Sequence, residues 1–184
     1  MNRAEQRRRT REALLEAAAQ EFVARGYAQA TLQGAADRLG LTRGTVLFHY
    51  KSKDALRDAL IDWGDARLTA ALNAEQPGEP DQRFVATLHA FAEVYSTDVR
   101  VRAGLALQEE RNREHPAVSA WRSALDERAA SFLVGSGSDA DRSTPIAAVA
   151  LSAAFLGIVQ DPAWKSERQL REALDWFTAS LSAH

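Results

Sequence analysis

An all-α fold is predicted by three observations. Apolar residues recur three or four positions apart along most of the chain, β-branched alternation is scarce, and hydroxyl residues or glycines punctuate the periodic runs. The first helix is predicted from about Ala4 to Arg25, with Leu14, Leu15, Ala18 and Phe22 on one stripe and Gly26 placed to end it. Thr31 is an N-cap candidate for a short second helix, because its hydroxyl accepts an orphan N–H two or three residues on, and Gly40 closes that helix. Thr42 caps a third short helix in the same way, running to about His49. Ser52 and Asp54 open a fourth, whose apolar face holds Ala55, Leu56, Ala59, Leu60 and Trp63.

The stretch EQPGEPDQ at 75–82 reads as a loop, after which Phe84, Leu88, Phe91 and Tyr95 resume the helical period. Further helices are expected near 99–113, from Pro116 to about Val134, from Pro145 to about Val159, and from Ser166 to Ser182. The segment GSGSDADRST at 135–144 is read as a flexible connector ending in a Thr144 cap with Pro145 at the first helical position.

Composition narrows the function. The chain has 184 residues, 46% hydrophobic, enough to bury a core. There is no cysteine, which excludes thiolate metal sites, thiol nucleophiles and disulfides, and cytoplasm is the expected location. No segment approaches the roughly 18 apolar residues of a membrane span. The net charge of -2 hides an asymmetry: residues 1–60 hold 11 Lys/Arg against 7 Asp/Glu, leaving 12 against 18 for the remainder. Only the N-terminal third suits a polyanion.

Two short capped helices joined by LGLTRG, the second followed closely by His49 and Lys53, make a helix-turn-helix, which lays its second helix in the major groove of DNA. Arg43 is long enough to fork onto a guanine edge. Thr42 and Thr45 offer hydroxyl and methyl groups, and Gly44 lets the backbone approach. Arg3, Arg7, Arg8, Arg9 and Arg11 precede the apolar stripe of the first helix, where a frayed basic arm would reach the minor groove or phosphates. His49 reads as a phosphate contact rather than a metal ligand, since the other histidines stand far off at 89, 115 and 184. Phe48 and Tyr50 read as core and hinge packing.

The run RRTREALLEAAAQEFVARGY, the core TLQGAADRLGLTRGTVLFHYKSK and the following DALRDALIDW resemble the TetR-type bacterial transcription repressors over about residues 7–64. That resemblance implies a homodimer with an N-terminal three-helix DNA-binding domain over 1–52. A helical ligand-binding and dimerisation domain would follow over 53–184. Its implied DNA contacts are Gln33, Thr42, Arg43, Thr45, His49 and Lys53, with Thr31 anchoring a phosphate. Where most members carry a tyrosine this chain has Leu47, so a phenolic contact is lost. The runs VRVRAGLALQEE and AVSAW are also similar to the γ-butyrolactone autoregulator receptors, a branch of that family, and Trp121 falls where the branch places a ligand-contacting tryptophan.

From the residues themselves, Trp121 and Trp164 with Phe91, Leu105, Phe155 and Val159 suggest an aromatic-lined cleft for a largely apolar molecule. Leu88 lies on the same helical period, and Thr87 and Gln108 are candidate polar orienting groups. The apolar faces from Ile146 to Val159 and from Leu170 to Leu181 read as a dimer interface. No Gly-flanked nucleophile, phosphate loop, paired-histidine motif or dinucleotide fingerprint occurs, so no enzyme and no cofactor are expected. The competing expectation is a helical adaptor or enzyme that keeps the helix-turn-helix as scaffolding.

Overall fold

The structure, a computed structural model, describes residues 2–74, 78–114, 119–135, 144–160 and 167–182. Among these residues it contains helices and no strand: α1 (Arg3–Gln29), α2 (Leu32–Asp37), α3 (Arg43–His49), α4 (Lys53–Asn73), α5 (Pro80–Thr97), α6 (Val99–Glu114), α7 (Ala120–Gly135), α8 (Thr144–Val159) and α9 (Glu167–Ser182). The all-α reading holds. Trp164, Pro116 and most of the 135–144 connector lie outside the described residues, as do the side chains of Thr144, Pro145, Ile146, Leu170 and Leu181. No helix among the described residues is long and apolar enough to cross a membrane.

The chain divides into two compact units. The first comprises residues 1–67 and 98–117, and the second comprises residues 68–97 and 118–184. Within the first, α1 presents Leu14, Leu15, Ala18, Ala19 and Phe22 to a core completed by Ala35 and Ala36 of α2, Val46 of α3, Leu56, Leu60 and Ile61 of α4, and Ala103 and Leu107 of α6. The i, i+3, i+4 spacing of the α1 residues is what turns one face inward. At Gly26 the backbone takes φ 70°, ψ 166°, a conformation that favours glycine; it kinks α1 and carries the chain one further turn before Ala30. The predicted end of the helix at Gly26 is therefore a kink.

A close crossing joins α4 to α6. A methyl group on Gly104 would lie 2.3 Å from the Leu60 carbonyl oxygen and 3.5 Å from Gly64 Cα, so the backbones touch where neither helix has a side chain. Beside it Trp63 Nε1 donates to Asp98 Oδ2 at 2.9 Å, and the Arg100 guanidinium lies 3.9 Å from the Trp63 ring centroid while pairing with Asp98 at 3.0 Å. Burial opposes ionisation of Asp98, but the bonds from Arg100 and Trp63 prevail and hold its carboxyl below the usual range.

In the second unit, α5, α7, α8 and α9 pack around aromatic rings. Phe91 is fully buried, with ring centroids at 5.3 Å from Phe155, 5.6 Å from Trp121 and 6.3 Å from Tyr95, and Phe84 stacks on Phe132 at 5.0 Å. Such pairs add about 0.5–1.5 kcal/mol each beyond burial. On α8, Ala148, Ser152, Phe155, Leu156 and Val159 are buried, whereas Val149 is exposed, and on α9 Trp176 is exposed.

Candidate nucleic-acid interface

The site is assembled from short-range capping. Thr31 Oγ1 accepts from Gly34 N at 2.9 Å and starts α2. After Asp37 the helix closes with Gly40 at φ 65° and Leu41 N donating back to Ala36 O at 3.0 Å, a left-handed terminus of the Schellman type that turns the chain sharply. Thr42 then caps α3, its Oγ1 accepting from Thr45 N at 3.2 Å and sharing a hydrogen bond with Thr45 Oγ1 at 3.0 Å. The turn is locked from below by Glu21, a buried carboxylate paired at 3.1 Å with both Arg25 and Arg38. Its Oε1 occupies the space a Cβ on Gly34 would need, 2.3 Å away.

On α3, Val46 is completely buried, while Arg43, Gly44, Leu47 and Phe48 form the outward face. Arg43 engages no other side chain among the described residues, and a methyl on Gly44 would meet only Thr42 Oγ1 at 3.6 Å. Nothing among the described residues requires that glycine, although glycine inside a helix costs about 1 kcal/mol relative to alanine. The open backbone there is available to an external surface.

Two expectations are corrected. Phe48 does not pack into the core: it is 69% exposed, whereas Tyr50 beside it is 4% exposed and does pack. The helical period decides between them, since Phe48 lies about 160° around α3 from fully buried Val46. The frayed basic arm is also absent as such. Asn2 Oδ1 accepts from Ala4 N at 3.2 Å, and α1 is helical from Arg3 onward, so Arg3, Arg7 and Arg8 are presented on a rigid rod.

That rod sorts the arginines by face. Arg7 and Arg11, one turn apart, lie toward the end of α3. The Arg7 guanidinium is 5.3 Å from the Phe48 ring centroid, and that of Arg11 is 4.4 Å from the Tyr50 centroid. Arg11 Nη1 donates to His49 O at 3.1 Å, and the Tyr50 hydroxyl donates to Arg11 O at 3.2 Å, so the two elements hold each other reciprocally. Arg8 instead pairs with Glu5 and Glu12 at 3.1 and 3.0 Å, and Arg9 with Glu5 at 3.0 Å. Arg11, treated in the sequence only as one of a cluster, is the arginine that ties α1 to the end of α3. Its spacing of four from Arg7 was the available signal.

The remaining candidates are placed as follows. Gln33 is exposed, and its Nε2 donates to Asp37 at 2.6 Å. The His49 ring is half-buried, edge-on to Phe48 at 5.2 Å; partial burial first, then the charges of Arg7 and Arg11, lowers its pKa below 6.5, so it is neutral at pH 7. Lys53 Nζ donates to Ala28 O at 3.2 Å and lies 4.5 Å from the Tyr27 ring centroid, bracing the segment after the Gly26 kink. Burial, and then the hydrogen bond its hydroxyl makes to Asp54, pushes Tyr27 up to about 12.

The ligand candidates divide between the units. Thr87, Leu88, Phe91, Trp121, Phe155 and Val159 are buried in the second, and Leu105 and Gln108 are buried in the first. Thr87 Oγ1 donates to Arg83 O on its own helix at 2.8 Å. Ser152, not singled out in the sequence, is fully buried, and its hydroxyl lacks a hydrogen-bond partner among the described residues.

Two capped helices, a locked turn, an outward face carrying an arginine unpaired among the described residues, and flanking cations define a helix-turn-helix unit. Residues 14–60 match the profile of the bacterial regulatory proteins of the tetR family. The chain is 32% identical over 94 residues to the A-factor receptor protein of Streptomyces griseus, covering 51% of this chain and 33% of that protein. It is 40% identical over 58 residues to the HTH-type transcriptional regulator TtgR of Pseudomonas putida, covering 32% of this chain and 28% of that protein. The matched segments thus span about a third of the length of these curated relatives. Among solved structures, one reported as the molecular basis for control of antibiotic production by a bacterial hormones superposes with a TM-score of 0.70 at 28% identity, covering 94% of this chain and 95% of that one. A gamma-butyrolactone receptor (ArpA-like protein) gives 0.65 at 25% identity, covering 84% and 81%. Over residues 14–60 the chain thus carries the domain of the tetR family, and the relatives it matches are named as a receptor and a transcriptional regulator.

Proposed function

We propose that the chain is a ligand-responsive repressor: a homodimer that holds a palindromic operator and is released from it by a small, largely apolar molecule. The observation that carries the DNA half is the outward face of α3, where Arg43 has no partner among the described residues and Arg7 and Arg11 flank it without a carboxylate of their own. A cation left unpaired beside an open helix face is complementary to phosphate and to a guanine edge. Thr31, Gln33, Thr42, Thr45, His49 and Lys53 surround that face as candidate positioning contacts, and Arg3 extends the basic stretch along α1, whereas the charge of Arg8 is matched by Glu5 and Glu12.

The effector half is supported by the buried rings of Phe91, Trp121 and Phe155 together with the Ser152 hydroxyl, which has no partner among the described residues and lies on the same face of α8 as Phe155. A buried hydroxyl left without a partner costs about 1–3 kcal/mol, which a ligand oxygen would recover. The resemblance to gamma-butyrolactone receptors makes a lactone of that type the first effector to try. In a dimer the two recognition helices must sit about 34–36 Å apart, or a simple multiple of that, and a ligand that shifts α4 changes the spacing. Moving the population from mostly bound to mostly released takes about 10⁴-fold preference for one state, roughly 5.5 kcal/mol.

The test is a titration of the full chain on the DNA upstream of its own coding sequence at several salt concentrations, with a footprint. A two-fold protected site with steep salt dependence, lost on adding a γ-butyrolactone, is expected. Binding equal to that on random DNA would sink the operator reading, and a salt-dependent footprint indifferent to every lactone tried would sink the effector class.

A further inference from the structure

On the outward face of α3 the two large side chains are apolar. Phe48 is 69% exposed and Leu47 is 37% exposed, and neither has the polar group that a phosphate contact would use. Exposed aromatics normally carry a cost in water, yet this one is held in place. Arg7 covers one side of the ring at 5.3 Å from its centroid, and the His49 ring meets it edge-on at 5.2 Å. The surroundings are cationic, with Arg7, Arg11 and Arg43 all lacking carboxylate partners among the described residues, so the occupant of the face must be anionic overall while offering apolar groups at contact. Duplex DNA meets both demands in the major groove, the groove that the second helix of a helix-turn-helix enters, where the C5-methyl of thymine is the apolar group exposed on a base edge.

The threonine hydroxyls of the same helix are partly engaged within it. Thr42 Oγ1 accepts from Thr45 N and the two threonine hydroxyls share one hydrogen bond, so part of their capacity stays within α3, and Arg43 is the long polar side chain on the outward face. From this geometry, and resting on the DNA-binding reading above, we infer that Leu47 and Phe48 are specificity-determining residues that read thymine by apolar contact with its methyl group. Preference for T·A pairs beside the base pair contacted by Arg43 then comes from methyl burial, with Phe48 pre-positioned by Arg7 so that little rotamer freedom is lost on binding.

The test starts by selecting duplexes from a random-sequence pool with the full chain, then replacing the thymines of the selected consensus one at a time by deoxyuracil, which lacks only the methyl. One methyl-sized group brought into full contact is worth about a fourfold change in Kd. The wild-type protein is therefore expected to bind about fourfold more weakly when uracil replaces thymine at one or two positions of each half-site. The Leu47→Ala/Phe48→Ala variant, whose replaced side chains are exposed and whose thermal melt checks its folding, is expected to bind both duplexes alike. A wild-type protein indifferent to uracil everywhere, or a consensus without thymine in the protected major groove, overturns the inference while leaving DNA binding intact. Uracil sensitivity that persists undiminished in the double variant overturns it equally, by assigning the methyl contact to another side chain. A pool that yields no enriched sequence fails the DNA-binding reading itself.

Discussion

The crossing of α4 and α6 makes two neighbouring glycines respond oppositely to the same substitution. A Cβ on Gly104 would stand 2.3 Å from the Leu60 carbonyl oxygen and 3.1 Å from its carbonyl carbon, both main-chain atoms that cannot rotate away. Contacts of this kind respect about 3.0 Å, so the helices must part by at least about 0.7 Å at the crossing. Overpacking of this sort costs about 1–3 kcal/mol, against which alanine recovers up to about 1 kcal/mol of helix propensity. Gly104→Ala is therefore expected to destabilise by about 1–2 kcal/mol. On Gly64 the same methyl meets Gly104 Cα and Val101 O at 3.6 Å and Leu105 Cδ1 at 3.7 Å, ordinary contact distances. Gly64→Ala gains the propensity and a buried methyl, and is expected to be neutral or to stabilise by up to about 1 kcal/mol. Urea denaturation followed by circular dichroism reads both changes as shifts in midpoint at constant slope. A Gly104→Ala protein as stable as wild type, or a Gly64→Ala protein the less stable of the two, would refute the close crossing.

Three further outcomes follow from the interface. Arg43→Ala is expected to cost about 1–3 kcal/mol on the selected operator and little on random DNA in a binding titration, because the side chain is free to contact a base. Arg11→Ala should reduce the slope of log K against log[salt] by about one, whereas Arg8→Ala, whose charge is already matched by Glu5 and Glu12, should leave it unchanged; equal slopes would contradict the sorting of the two faces. The lowered pKa of His49 means that the folded protein binds fewer protons than the unfolded chain between that value and about 6.5. Stability should thus fall as pH drops through this window, and His49→Gln should remove that component from a series of urea midpoints, whereas an unaltered pH profile would remove His49 from the balance.

What could be read from the sequence divides along physical lines. Capping is local, so Thr31, Thr42 and Ser52 were legible from a hydroxyl two or three residues before a backbone N–H, and so was the sharp turn at Gly40. Apolar spacing likewise exposed the α1 stripe and the rings of α5. The exposure of Phe48 was open to the same spacing, since it stands about 160° around α3 from the apolar Val46 whereas Tyr50 returns to the Val46 side, and reading the two rings alike passed over that period. Spacing could not tell that Arg8 would be matched within its own helix while Arg11 reaches a carbonyl 38 residues away, or that Lys53 would brace the Ala28 carbonyl. The packing of α6 on α1 in the first unit is a long-range contact that no local pattern announces.

The recognition helix is anchored by Val46, by the Thr42 cap and by the exchange between Arg11 and the His49–Tyr50 backbone and hydroxyl, and none of these anchors uses Arg43, Gly44 or Leu47. Grip and readout are thereby held by separate residues. Substitutions on the outward face can accumulate without a folding penalty, so under the proposed function a duplicated copy of this chain can drift to a new operator while its scaffold stays unchanged. The same separation makes those outward positions the natural place to randomise when a regulator with a chosen target sequence is wanted.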